Sequence, residues 1–297
     1  SICWNHSPTR HFKGRNCIVK NKNTNKEMSF LNHLEELRWL LVRSCIAILI
    51  TSVVAVFFNE FIFDVIIFGP KQGDFVTYQF FCDVATKFDL DKSFCDNELP
   101  FVIQNRTMDG QLSVMIWTCI TAGFIMAFPV ILWEFWKFIR PALYHNERKY
   151  AKLFIFISSI LFFLGVVFGY FVLVPLSINF LANFTISSVV ENQIDINSYI
   201  SLVKTTSLAT GLVFELPIII FFLTYLGLIT DSFLREYRRY AYVLILIVAA
   251  VVTPPDVISQ LIVSFPLVIL YECSIVVAKV ITKRNVQKEK NAALTNK

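Results

Sequence analysis

Charged side chains are scarce in this chain: they make up 16% of 297 residues, against 56% hydrophobic, with a mean hydropathy of +0.60. That balance excludes an ordinary soluble domain and reads as an integral membrane protein. Signatures of covalent chemistry are missing as well. No Gly-x-Gly-x-x-Gly, phosphate-cradling loop or Gly-x-Ser-x-Gly occurs, which argues against a nucleotide engine or a hydrolase. The seven cysteines are too few and too scattered for a disulfide scaffold. No Cys-x-x-Cys or Cys/His cluster has metal-ligand spacing, so neither a metal nor another cofactor is expected. A polyanion-binding excess is lacking too. Of the formal charge of +5, six basic residues (Arg10, Lys13, Arg15, Lys20, Lys22, Lys26) and one acid (Glu27) precede Met28, and from there onward 21 basic residues face 21 acidic ones. Nucleic acid is therefore not an expected partner.

What the chain does have is long apolar runs. Six are candidates to cross about 30 Å of hydrocarbon at 1.5 Å per residue: residues 39–58, 110–133, 153–176, 205–229, 240–253 and 257–278. The fold class expected is an all-α integral membrane protein with six transmembrane helices. The third uncharged run continues to Val190, so Pro175 should end or bend its helix, the remainder lying at the interface or in the next loop. The fifth is short, because Thr253-Pro-Pro-Asp256 forces a tight turn before the sixth. Lys and Arg cluster after spans two (Lys137, Arg140, Arg148, Lys149, Lys152) and four (Arg235, Arg238, Arg239) and in the tail, which places both termini in the cytoplasm. The long loop 59–109 is acidic and lies on the opposite side. Residues 1–27 are basic and Asn-rich, either a disordered leader or sequence upstream of a start at Met28. Residues 28–280 form the membrane domain and 281–297 a basic cytoplasmic tail.

Several residues stand out against this frame. Phe30, Leu34 and Leu37 share a helical face, with Glu35, Glu36 and Arg38 elsewhere, which suits either an amphipathic anchor or a surface for a basic ligand. After span two, Glu134 and Glu147 lie among Trp133, Trp136, Phe138 and Tyr144; these rings are either an interfacial belt or part of the same surface. Acidic patches around Glu36 and Glu147, on a face otherwise positive, are what arginines would seek, since a carboxylate accepts a guanidinium fork. Glu215 lies within span four, with Pro217 freeing backbone carbonyls near it; it is either a structural carboxyl or a site meeting another helix. Gln260 and Glu272 in span six are twelve residues apart and share a face. Cys82 and Cys95 in the outer loop form a candidate disulfide.

The ordered set of motifs resembles the TatC family, the polytopic signal-receptor subunit of the twin-arginine protein translocase. It comprises Phe30-Leu-Asn-His-Leu-Glu-Glu-Leu-Arg38, Phe128-Pro-Val-Ile-Leu, Trp136-Lys-Phe-Ile-Arg-Pro-Ala-Leu-Tyr, Glu147-Arg148, Phe214-Glu-Leu-Pro217, Arg239-Tyr240 and Thr253-Pro-Pro-Asp-Val-Ile-Ser-Gln260. The resemblance covers Met28 to Ala278 and implies a glove-shaped, concave bundle in a bacterial inner membrane or an organellar one. It implies a receptor, not an enzyme, that binds the twin-arginine signal peptides of folded cargo at its cytoplasmic face and nucleates the complex for proton-gradient-driven export. The signal-binding residues would be Glu36, Arg38, Phe138 and Glu147, with Glu147 the main acceptor. Glu215, Pro217, Gln260 and Glu272 would serve intramembrane contact and assembly with single-span TatA/TatB-type subunits. Tyr170, Pro175 and Asp256 would belong to the outer face. Membrane lipid and further copies of the chain are the other implied partners. The chain departs from the family in a longer first outer loop and in Glu134, where many members carry a different polar residue. A secondary transporter using Glu215, Glu272 and Asp256 as a cation path is the competing class, against which the two halves show no clear internal repeat.

Overall fold

The computed structural model describes residues 30–73, 75–88, 101–139, 151–185, 187, 193–225, 227–253 and 257–295. Five helices are long and apolar enough to cross a membrane: Leu34–Phe57, Gly110–Ile139, Ile155–Asn183, Ile196–Thr224 and Ser259–Lys283. A sixth, α9 (Arg238–Val252), has 15 residues, about 22 Å by the helical rise. It stops where Thr253 turns extended and its Oγ1 donates to the Ala249 carbonyl at 2.9 Å. The turn Pro254 to Asp256 lies outside the described residues.

Span one is α1 (Phe30–Phe57) and span two is α3 (Gly110–Ile139). They pack closely because Gly123 has no side chain. A Cβ there would sit 2.7 Å from the Ser52 nitrogen and 2.8 Å from its Cα. Thr51 Oγ1 uses the proximity to donate to the Gly123 carbonyl at 2.7 Å. Spans three and four use the same device. Gly165 and Gly169 face Ser207 and Gly211, and a Cβ on Gly165 would lie 2.9 Å from the Gly211 Cα. Small residues four apart let membrane helices approach at backbone distance, where dispersion replaces the missing hydrophobic drive.

In span three one of the two alternatives for Pro175, an end to the helix, does not occur: α4 (Ala151–Phe168) passes through a π-helical turn, Gly169–Leu173, into α5 (Val174–Asn183), with Pro175 in its first turn. Proline cannot donate to the carbonyl four residues back, which is that of Phe171. Thr77 Oγ1 donates to it instead, so the freed acceptor becomes an attachment point for the outer segment. Span four also starts earlier than the apolar run suggests, at Ile196 in α6 (Ile196–Val213). Lys204 thus lies inside the span.

The acidic outer segment is folded. It contains a π-helical turn Phe61–Ile67, a 3₁₀ turn Gly69–Lys71, α2 (Val76–Phe88) and β1 (Val102–Gln104). β1 pairs in parallel with β2 (Gln193–Asp195), Ile103 opposite Ile194. Tyrosine hydroxyls hold this cap on the spans: Tyr170 donates to the Ile66 carbonyl at 2.7 Å, Tyr199 to Ile67 at 3.0 Å, and Tyr78 to Pro70 at 3.0 Å and Pro175 at 3.3 Å. Beneath them Phe101, Val174, Ile178, Tyr199, Ile200 and Val203 form a buried cluster. A second core of Leu173, Phe214, Ile245, Ala249, Val263 and Leu267 joins spans three to six. A short helix, α8 (Asp231–Glu236), precedes α9, and the last helix, α10, runs from Val257 to Thr295 and carries span six into the basic tail.

Candidate functional site: the cytoplasmic face and the intramembrane carboxyl

The antiparallel packing of α1 and α3 sets the geometry of the cytoplasmic face. Ser52 lies against Gly123. Nearer the cytoplasm Arg43 Nη1 meets Glu134 Oε2 at 3.3 Å. Extending that register by equal helical rise brings Arg38 level with Phe138 and Ile139. Glu36 and Arg38 are exposed in the first turns of α1, and Phe138 is half-buried at the end of α3. Three of the four expected recognition residues thus fall at one end of one helix pair. The fourth, Glu147, lies outside the described residues.

An ion cluster that sequence reasoning missed sits directly behind that surface. The Glu134 side chain, 11% exposed, takes Lys137 Nζ on Oε1 at 2.5 Å and Arg43 on Oε2. Arg43 was a legible signal, as the lone charge of span one, but its partner is 91 residues away.

Glu215 stands at a break in span four, between α6 and α7 (Leu216–Tyr225). Pro217 cannot complete the ladder to Val213, and Glu215 N instead closes a tight turn on the Leu212 carbonyl at 3.1 Å. The side chain is buried; Ser158 Oγ on α4 donates to Oε2, and Oε1 is buried without a hydrogen-bond partner. A buried carboxyl with one satisfied and one open oxygen is a costly arrangement. Ser158 itself carried no signal in the sequence.

Gln260 and Glu272 do share a face of α10, the one turned to α9. Gln260 Nε2 donates to the Leu246 carbonyl at 3.1 Å. Glu272 receives Arg238 Nε at 2.6 Å and also the Tyr242 hydroxyl, so its carboxylate is engaged within the chain. On the outer side Tyr170 and Pro175 meet the cap as described, and Asp256 lies outside the described residues. Cys82, on α2, is disulfide-bonded, whereas Cys45, Cys119 and Cys273 are free. Cys95 lies outside the described residues. Among the described residues no cluster of His, Cys, Asp or Glu could hold a metal ion.

Residues 32–266 match the family model for the Sec-independent protein translocase protein TatC. The chain is 43% identical over 264 residues to the Sec-independent protein translocase protein TatC of Blattabacterium sp. subsp. Periplaneta americana, covering 89% of this chain and 99% of that protein. It is 32% identical over 264 residues to that of Aquifex aeolicus, covering 89% and 100%. Its fold is similar to the crystal structure of the twin-arginine translocase receptor TatC, with a TM-score of 0.62 and 31% identity over 84% of this chain and 99% of the other.

Proposed function

This chain belongs to the TatC family, and from that premise we propose that it is the signal-receptor subunit of a twin-arginine translocase. It is a multi-pass protein of the bacterial inner membrane, six spans with both termini cytoplasmic. The receptor binds the twin-arginine signal peptide of folded cargo at its cytoplasmic face and nucleates the translocation complex. Its work is binding, not covalent chemistry, and the proton gradient drives passage.

The observation that carries this reading is the placement of exposed Glu36 and Arg38 on α1 level with Phe138 at the end of α3. Glu147 is the main acceptor of the arginine pair, through charge-assisted bidentate hydrogen bonds, and Glu36 supports it. The apolar stretch of the signal then gains by burial along the neighbouring helices. Single-span TatA/TatB-type partners join along spans four to six, where the open oxygen of Glu215 gives a polar group in a passing helix something to bond. Further copies of the chain complete the complex.

Photo-reactive residues placed at Glu36, Phe138 and Leu49 test the reading, with signal-bearing cargo added to inverted membrane vesicles. Cross-links at the first two positions and none at Leu49, which is 63% exposed farther along span one, are the expected result. Equal labelling at all three contradicts it.

A further inference from the structure

Glu134 holds two cations that border the recognition surface. Both carboxylate oxygens are engaged, Oε1 by Lys137 and Oε2 by Arg43, and the group is largely buried, whereas the Arg43 and Lys137 side chains are 56% and 47% exposed. Burial and two cations already in place leave it a poor acceptor for an incoming guanidinium.

Its neighbours explain what else it does. Arg43 lies seven residues after Glu36, two turns along the same face of α1 and about 10 Å along the axis. Lys137 directly precedes Phe138. At that range, within about one Debye length of 8–10 Å, the chain's own cations carry the charge that the ligand's arginines carry. Released, Arg43 would stand two turns from Glu36 without a partner of its own, an intramolecular competitor for that carboxylate.

We propose that Glu134 is a specificity-determining positioning residue: it sequesters Arg43 and Lys137, so that Glu36 stays open to the arginine pair. This rests on the receptor reading above. The bland alternative is a simple clasp between α1 and α3. The two differ in what removing both partners does.

The test is the affinity of a synthetic twin-arginine signal peptide, and of its twin-lysine counterpart, for the purified full chain in detergent. The variants are Glu134→Gln, Arg43→Gln and the double variant, each verified as monodisperse. Masking predicts that Glu134→Gln weakens twin-arginine binding about fivefold, the worth of a half-exposed charge pair. The loss should shrink at high salt, Arg43→Gln should bind like wild type, and the double variant should recover most of the lost affinity, the remainder being due to the released Lys137. A clasp predicts that all three variants weaken binding and that the double is no better than Glu134→Gln, which overturns the proposal. Unchanged binding in Glu134→Gln, with the wild-type arginine preference intact, overturns it alone. Lack of arginine preference in wild type overturns the receptor reading and this inference with it.

Discussion

The hydroxyl of Ser158 on α4 donates to Oε2 of Glu215 at the break between α6 and α7, leaving Oε1 buried and unpaired. Spans three and four are thereby tied by a polar contact inside an apolar bundle, and one acceptor is kept in reserve. Glu215→Ala should leave twin-arginine peptide binding within about twofold, because the recognition surface is on α1 and α3, while recovery of single-span partners with the purified chain falls several-fold. Ser158→Ala should lower stability by about 1–3 kcal/mol through the unpaired carboxyl. Peptide titration, co-purification and thermal unfolding read these three effects. Loss of peptide binding alone in Glu215→Ala would refute the division of roles.

The crossing of α1 and α3 should be the least forgiving helix contact. A Cβ at Gly123 would meet Ser52 backbone atoms at 2.7 and 2.8 Å, which no rotamer change relieves. Gly123→Ala should cost about 1–3 kcal/mol, seen as a lower unfolding temperature in detergent. An unshifted transition would show that the helices separate at no cost.

Asp195 Oδ1 accepts from the Asn197 backbone N–H at 2.7 Å and caps α6. That hydrogen bond, first among the causes, holds the Asp195 carboxyl below its ordinary value of 3.8. A lowered folded-state value makes the cap's contribution complete above the ordinary value and progressively lost as pH falls through the folded one. Unfolding of wild type and Asp195→Asn should therefore run in parallel at pH 5 to 7 and converge toward pH 3. A constant gap across that range would contradict the capping role.

How much of this was legible depends on range along the chain. The short fifth span followed from the Pro254-Pro255 turn, and the shared face of Gln260 and Glu272 from helical periodicity, which α9 now occupies. Pro175 left ending and bending equally open because the donor to the carbonyl it frees, Thr77, lies 94 residues away. The charge of Lys204, just before the apolar run 205–229, hid the first turns of α6, whose start is marked by the Asp195 cap rather than by hydropathy. The pairs Arg43–Glu134 and Ser158–Glu215 are 91 and 57 residues apart and leave no periodic trace. The recognition residues proposed above rest on family resemblance, since their spacing alone fits an amphipathic anchor equally well.

The disulfide of Cys82 faces the outer compartment, and we propose Cys95 as its partner. Cys45, Cys119 and Cys273 are free, and Cys3 and Cys17 precede α1 in the sequence. Thiol alkylation of the denatured, unreduced chain should spare Cys82 and Cys95 together, and Cys95→Ser should expose Cys82. Labelling of Cys95 in the unreduced chain would refute the pairing.

Recognition of the arginine pair by cytoplasmic carboxylates is the central claim, and binding of a synthetic twin-arginine signal peptide to the purified chain tests it most directly. The same peptide with two lysines is the comparison, in wild type, Glu147→Ala and Glu36→Ala. The account requires a clear arginine preference in wild type, because lysine cannot form the bidentate contact. That preference should vanish in Glu147→Ala and weaken in Glu36→Ala. Equal affinity for both peptides in wild type, or an undiminished preference in Glu147→Ala, would contradict it.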